Sequence, residues 1–398
     1  VWGDVPLITE GSSALNLDNL RQPRTPVADV FTRITQDMTE ASRLMEVNSN
    51  PFRFTNSSIY CLQAEVYMWL KDFDKAKTSV ENLIGLGTHS LATTTEDYIN
   101  MFINETPGEG GIKQFGPELI YSIPYSISEQ ATDIIFSEMR NFGGGPFANN
   151  ANRSGVKNTF NAGGTQSLIS VDAERDWTTR FPIDSTGWND LYPNTPPVLS
   201  TTEQVEQPDG TFIEETLPVY GDWRYFTARE DQIEVGDFGN QRLVKHGAAV
   251  GTLQSDDTDI NVYRYSDMLL LLAEAENMIG NTVGSLNILN QIRSARLLPP
   301  ITMEVFGSTI NDREDFILEE RRYELFGEGK RWWDLTRTNK VNANVNSKLS
   351  ELIDITPRLF APSMGSDNTT RNRGLELFPI NINQLRDNNL LIQNPAYQ

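Results

Sequence analysis

One cysteine, Cys61, in 398 residues excludes an intrachain disulfide. It lies within an apolar helical pattern, where a thiol is ordinarily a buried packing group. The two histidines, His89 and His246, stand far apart, which leaves no His-rich zinc site. No apolar run reaches the length a membrane-spanning helix needs. Positive charge is scarce as well. Lys and Arg number 33 against 54 Asp and Glu, a net charge of −21. Nucleic acid and anionic membrane surfaces are disfavoured as partners by that balance. Walker, GxSxG and HExxH motifs are missing, so no common catalytic constellation is spelled out. A glycoside hydrolase would need two carboxylates about 5 to 10 Å apart across a cleft. No spacing among the acidic residues singles out such a pair. Asp256, Asp257 and Asp259 could hold a structural Ca²⁺ but lack EF-hand spacing. A solvated acidic loop is the expectation there, and no cofactor is expected.

What is present reads as mainly α. Residues 1 to 24 lack periodicity and read as an extended loop. Thr25-Pro26 predicts a helix start, with Thr25 as N-cap and Pro26 in the first turn. Val27, Val30, Phe31, Ile34, Met38, Ala41 and Met45 then form one apolar face. A second helix is predicted from about Thr55 to Leu70, with Ile59, Leu62, Val66, Tyr67 and Trp69 inward. A third runs from Lys75 to Ile84, with Ala76, Val80 and Leu83 inward. Small residues Ala64 and Ala76 would let these two approach closely, as in a tetratricopeptide-type hairpin. Leu119–Ile123 reads as a short strand. Residues 126–258 are loop-rich, with Gly143–Gly145, Gly163-Gly164 and Pro196-Pro197. Gln207-Pro208-Asp209-Gly210-Thr211 predicts a turn between two strands. Helical order returns from 260 to 338. Ser266 is the expected cap of a very apolar helix, Asp267–Ile279, and Gly284–Arg296 is the next.

The densest pattern is Asn311–Thr338. Asn311 and Glu314 have capping-box spacing. Glu320, Arg321, Glu324, Glu328, Arg331 and Asp334 recur beside Trp332 and Trp333. The spacing pairs Arg321 with Glu324, and sets Arg331 three residues from both Glu328 and Asp334. So many charges amid apolar residues predict a half-buried ion-pair network, retained for geometry more than for net stability.

The run Glu320-Arg321-Arg322-x-Glu324-Leu325-x-x-Glu328-Gly329-x-Arg331-x-x-Asp334-Leu335 resembles the C-terminal signature of the SusD/RagB family. These are surface lipoproteins of Bacteroidetes that capture nutrients, mostly glycans, for an outer-membrane transporter. Other stretches are similar too: Gly3-Asp4-Val5-Pro6-Leu7, Tyr263-Arg264-Tyr265, Asn290–Arg293 and the closing Pro379-Ile380…Gln393-Asn394-Pro395-Ala396-Tyr397. In the last, Asn381 stands for a second Pro and Ala396 for a Gly. The resemblance implies one SusD-like domain over 1–398, with a tetratricopeptide-like scaffold at 25–85 and 260–338 and variable loops at 126–258. It implies an N-terminal part ahead of Val1 that carries a signal, a lipid-anchor Cys and the first helices. It implies an outer-leaflet lipoprotein of the outer membrane facing the cell exterior. There it would deliver oligosaccharides to a SusC-like TonB-dependent transporter and break no bond.

A rigid scaffold with variable loops places ligand contacts in those loops. Aromatic residues among polar ones suit sugars, whose C–H faces stack on rings while hydroxyls pair with amides, carboxylates and guanidinium groups. The candidates are Trp177, Trp188, Tyr192 and Trp223 as platforms and Arg180, Asn189 and Asp190 as clamps. The competing expectation is that a tryptophan anchors the core. Alternatives to glycan capture are peptide capture as in the RagB branch, glycan cleavage, and a tetratricopeptide-type adaptor.

Overall fold

The structure, a computed structural model, describes residues 2–11, 21–45, 50–104, 115–124, 171–206, 211–228, 247–248, 259–340 and 377–394. In chain order the elements are α1 (Val27–Leu44), α2 (Asn56–Trp69), α3 (Phe73–Gly85), α4 (Thr95–Asn100), β1 (Ile103–Asn104), β2 (Leu119–Ile123), α5 (Val171–Arg180), α6 (Ser185–Leu191), β3 (Leu199–Glu206), β4 (Phe212–Val219) and α7 (Trp223–Ala228). There follow β5 (Gly247–Ala248), β6 (Ile260–Arg264), α8 (Tyr265–Met278), α9 (Thr282–Ala295), α10 (Met303–Phe306), α11 (Ile310–Glu324), α12 (Arg331–Arg337) and α13 (Ile382–Asp387). The protein is mainly α, as its periodicities predict, with three two-stranded sheets among the described residues. It divides into two compact units, Glu46–Arg331 and Val1–Met45 with Trp332–Gln398. The segments 25–85 and 260–338 are each shared between them.

The larger unit is built on helical hairpins. Thr55 closes a capping box with Ser58 and starts α2. Asp72 accepts from the Lys75 N–H and starts α3. Ala64 and Ala76 are buried where the two helices meet, and Val80 and Leu83 face inward as predicted. Cys61 is buried on the same face. Trp69 is a correction. The buried positions of α2 recur at Ser57, Cys61, Ala64 and Met68. Trp69 lies about 100° round the helix from Met68 and is 37% exposed.

Helix α8 is buried on every side from Tyr265 to Asn277. A helix apolar all round belongs in the centre of a core. It packs against α2, α3, α9 and α11. Its expected cap is also corrected: Arg264 occupies the cap position, and the Ser266 hydroxyl accepts from the Arg264 guanidinium instead. Asn281 caps α9. The cap of helix α11 lies two residues before the predicted Asn311. Thr309 accepts from the Asp312 N–H, while the Asp312 carboxylate accepts from the Thr309 N–H at 2.9 Å. The predicted strand at 119–123 is β2, paired antiparallel with β6 from Leu119↔Arg264 to Ile123↔Ile260. That pairing delivers Arg264 to the head of α8. Strands β3 and β4 flank the predicted turn and pair in full from Leu199↔Val219 to Glu206↔Phe212, while residues 207–210 of that turn lie outside the described residues.

In the smaller unit, Arg24 clamps the start of the chain to its tail. Its guanidinium donates to the carbonyls of Trp2, Asp4 and Ile392 and to Asn394 Oδ1, all within 2.7 Å. The first helix begins at Val27, and Pro26 rather than Thr25 sits at its cap. A proline has no side chain to cap with. Asp4, from the Gly3–Leu7 turn, accepts the Val27 N–H at 2.8 Å. Asn381 caps α13 by accepting the Asn383 N–H, a role that a proline could not fill.

Candidate functional site

Within the larger unit, four arginines and five carboxylates meet in the interior. Glu324 accepts from Arg224 at 2.9 Å, Arg264 at 2.7 Å and Arg296 at 2.7 Å. One turn earlier, Glu320 accepts from Arg224 and Arg293, each at 2.9 Å. Glu118, at the start of β2, takes Arg264 and Arg296. Asp222 takes Arg224, and Glu328 takes Arg264. All nine side chains are buried, so the network is drier than the half-buried one expected. Burial alone would raise the Glu320 carboxyl, but Arg224 and Arg293 outweigh it and hold it at about 2. Burial likewise opposes Glu324, and Arg296 and Arg264 hold it well below the usual carboxylate range.

Local spacing misassigned several pairs. Arg321 bonds Asp267 of α8 at 2.9 Å rather than Glu324. Glu320 and Glu324 share a helix face, and Arg321 is turned about 100° from it. Arg331 reaches Glu319 at 2.5 Å and the Leu318 carbonyl, rather than Glu328 or Asp334. Arg322 bonds Glu319 at 3.0 Å and Asp176 at 3.3 Å. In the smaller unit Asp334 pairs with Arg337 at 2.8 Å. Glu320 and Glu324 are buried, and arginine holds both below the usual carboxylate range. A glycosidase acid needs a raised pKa and open access, and this cluster provides neither.

The three candidate tryptophan platforms are corrected to core residues. Trp177, Trp188 and Trp223 are 1%, 0% and 1% exposed. Each indole N–H is satisfied inside: Trp177 by Asp222 at 3.0 Å, Trp188 by the Thr195 carbonyl at 3.0 Å, Trp223 by the Arg296 carbonyl at 2.7 Å. Trp177 sits among Tyr225, Tyr323 and Phe326, with centroids within 5.4 Å. Tyr98 stands edge-on to Trp223 at 4.6 Å. A ring so enclosed has no face for a sugar. Of the polar neighbours that suggested clamps, Asn189 and Asp190 are exposed beside the buried Trp188, whereas Arg180 is half-buried against aromatic rings.

What faces solvent here is therefore polar. Asn189 and Asp190 are exposed at the end of α6, followed by exposed Leu191 and half-buried Tyr192. Tyr192 donates its hydroxyl to the Arg180 carbonyl at 2.8 Å, tying α6 to the end of α5. The Arg180 guanidinium lies 4.4 Å above the Phe316 ring. Exposed aromatics occur elsewhere: Trp69 and Phe115 in the larger unit, and Trp2, Trp332, Trp333 and Phe378 in the smaller. Their neighbours in sequence are no more polar than those of Trp177, which is why local composition did not find them. The region 125–170 and the Asp256–Thr258 run lie outside the described residues, as do Gly108–Gly111 and the terminal Pro395-Ala396-Tyr397. Among the described residues no three His, Cys, Asp or Glu side chains gather as a metal site, and no helix is long and apolar enough to cross a membrane.

Residues 214–397 match the model of the SusD family. The chain is 35% identical over 354 residues to SusD-like protein P38 of Formosa agariphila, an alignment that covers 86% of this chain and 63% of that protein. It thus spans less than two thirds of that curated relative's length. Its fold is similar to the crystal structure of a SusD superfamily protein from Bacteroides vulgatus, with a TM-score of 0.64 at 16% identity, covering 99% of this chain and 73% of the other. A SusD superfamily protein from Parabacteroides distasonis gives a TM-score of 0.57 at 19% identity, covering 100% and 74%.

Proposed function

We propose that this chain is a member of the SusD family and a glycan-binding protein for nutrient uptake. The 35% identity to a SusD-like protein carries this reading. It is supported by the signature helix, whose carboxylates lock α7, β6 and α9 into one scaffold. The finer reading is capture of an oligosaccharide at the cell surface and its hand-over to a SusC-like TonB-dependent transporter. The protein would be held at the outer leaflet of the outer membrane by a lipid anchor. Affinity without chemistry suits that role, because a ligand that must be released is best held by many modest contacts. With the tryptophans committed to the core, the candidate contacts are the exposed Asn189 and Asp190 and the half-buried Arg180 and Tyr192.

Affinity electrophoresis against plant, host and fungal polysaccharides tests the reading. Each mixture is also assayed for new reducing ends. Retardation by at least one polysaccharide with no new reducing ends is the expected result. New reducing ends would turn the reading to glycan cleavage. Retardation by none, with binding of a peptide pool instead, would turn it to peptide capture.

A further inference from the structure

Arg180 lies close enough to Glu320 to help Arg224 and Arg293 hold that carboxyl low. Arg180 forms no ion pair and donates no side-chain hydrogen bond among the described residues, yet its side chain is held in place. The guanidinium carbon lies 4.4 Å from the Phe316 ring centre, 5.6 Å from that of Tyr323 and 5.9 Å from that of Phe181. The rings come from α11 and from the residue following α5, and the Tyr192 hydroxyl pins the Arg180 carbonyl. Stacking fixes the plane of a guanidinium while leaving its in-plane N–H donors uncommitted.

The nearby carboxylates are already taken. Glu320 is held by Arg224 and Arg293, Glu319 by Arg322 and Arg331, and Asp176 by Arg322. None can turn to Arg180 without giving up an existing partner. The Tyr323 hydroxyl likewise makes no hydrogen bond among the described residues. Burial pushes it up to about 12 against the opposing pull of Arg180, so it stays a donor at neutral pH. A pre-oriented guanidinium beside a free phenol O–H is suited to an oxyanion. A planar carboxylate can accept two parallel N–H bonds, and sulfate can accept in the same way.

We infer that Arg180 is the anion-recognising residue of this protein and that its saccharide is acidic, bearing carboxylate or sulfate groups. The inference rests on the proposed glycan capture and names the substrate class. Asn189 and Asp190, exposed on α6, would then serve neutral hydroxyls of the same chain of sugars.

The test titrates the protein calorimetrically with three probes of matched length: a neutral oligosaccharide, a uronic-acid oligosaccharide and a sulfated one. Wild type is compared with Arg180→Lys, Arg180→Gln and Arg175→Gln, the last removing an exposed, unstacked arginine five residues earlier. Thermal melts confirm folding. At least one acidic probe should bind wild type roughly tenfold or more tightly than the neutral one, as a charge-assisted fork implies. Which acidic probe it is separates carboxylate from sulfate. Arg180→Gln should abolish the preference, Arg180→Lys should keep part of it, and Arg175→Gln should leave it unchanged. Equal binding of neutral and acidic probes, or a preference that survives Arg180→Gln, overturns the inference and leaves glycan capture standing. Binding of no probe, acidic or neutral, overturns the inference and counts against capture itself.

Discussion

Glu324 accepts from three arginines that have no route to water, and Glu320 accepts from two. Truncating one member of a buried ionic set leaves its partners uncompensated, which costs about 3–5 kcal/mol. Glu324→Ala is expected to lower the unfolding free energy by that order in denaturant titration. The pH dependence follows from the depressed carboxyls. Glu320 sits at about 2 when folded and near 4.5 when not. Its stabilising contribution is therefore complete above about pH 4.5 and is lost as pH falls from there toward 2. Melting temperature should drop across that window in wild type, and Glu320→Gln should flatten the drop. Trp177→Ala belongs to the same class. It removes a buried ring and one donor to Asp222, which keeps Arg224, so a loss of about 3–5 kcal/mol is expected from the cavity. Equilibrium unfolding checks it, and a change under about 1 kcal/mol would contradict a core role.

At the scale of elements, helix faces were readable and helix ends less so. The periodicity that turns Ala76, Val80 and Leu83 inward is local, and the fold uses it unchanged. Ends depend on capping, which nearby alternatives can take over. Thr309 rather than Asn311 caps α11, and Asp4 supplies a cap to Val27 from 23 residues away. Three ends among the described residues lack the glycine that usually marks them, and at Asn339 an asparagine stands in for it. Lys71 and Leu297 adopt φ of 60° and 57°, and the amide after each donates back to a carbonyl five residues earlier, Asp72 to Tyr67 and Leu298 to Arg293. That left-handed position favours glycine, and both side chains are exposed. Lys71→Gly and Leu297→Gly should each raise stability by up to about 1 kcal/mol, read as a higher denaturant midpoint with unchanged slope.

For the molecule as a whole, the signature helix carries the family resemblance because its residues are contiguous in sequence. Its contacts stayed hidden because they are not. Arg224 meets Glu324 across 100 residues and Arg264 meets Glu118 across 146, separations no local spacing rule reaches. The site was misread for a related reason. Composition around Trp188 is polar because Asn189 and Asp190 are exposed, but successive residues on a helix lie about 100° apart, so the ring beside them is buried. The account that results is a scaffold locked by buried charge and aromatic rings, with recognition left to the outward polar side chains. The most direct test is binding and melting measured together for an Asn189→Ala/Asp190→Ala double variant and for Trp177→Ala, on a polysaccharide that retards wild type. The account predicts that the double variant loses retardation at an unchanged melting temperature, while Trp177→Ala melts markedly lower. A Trp177→Ala protein that melts like wild type yet no longer binds would contradict it, and would return that ring to the ligand.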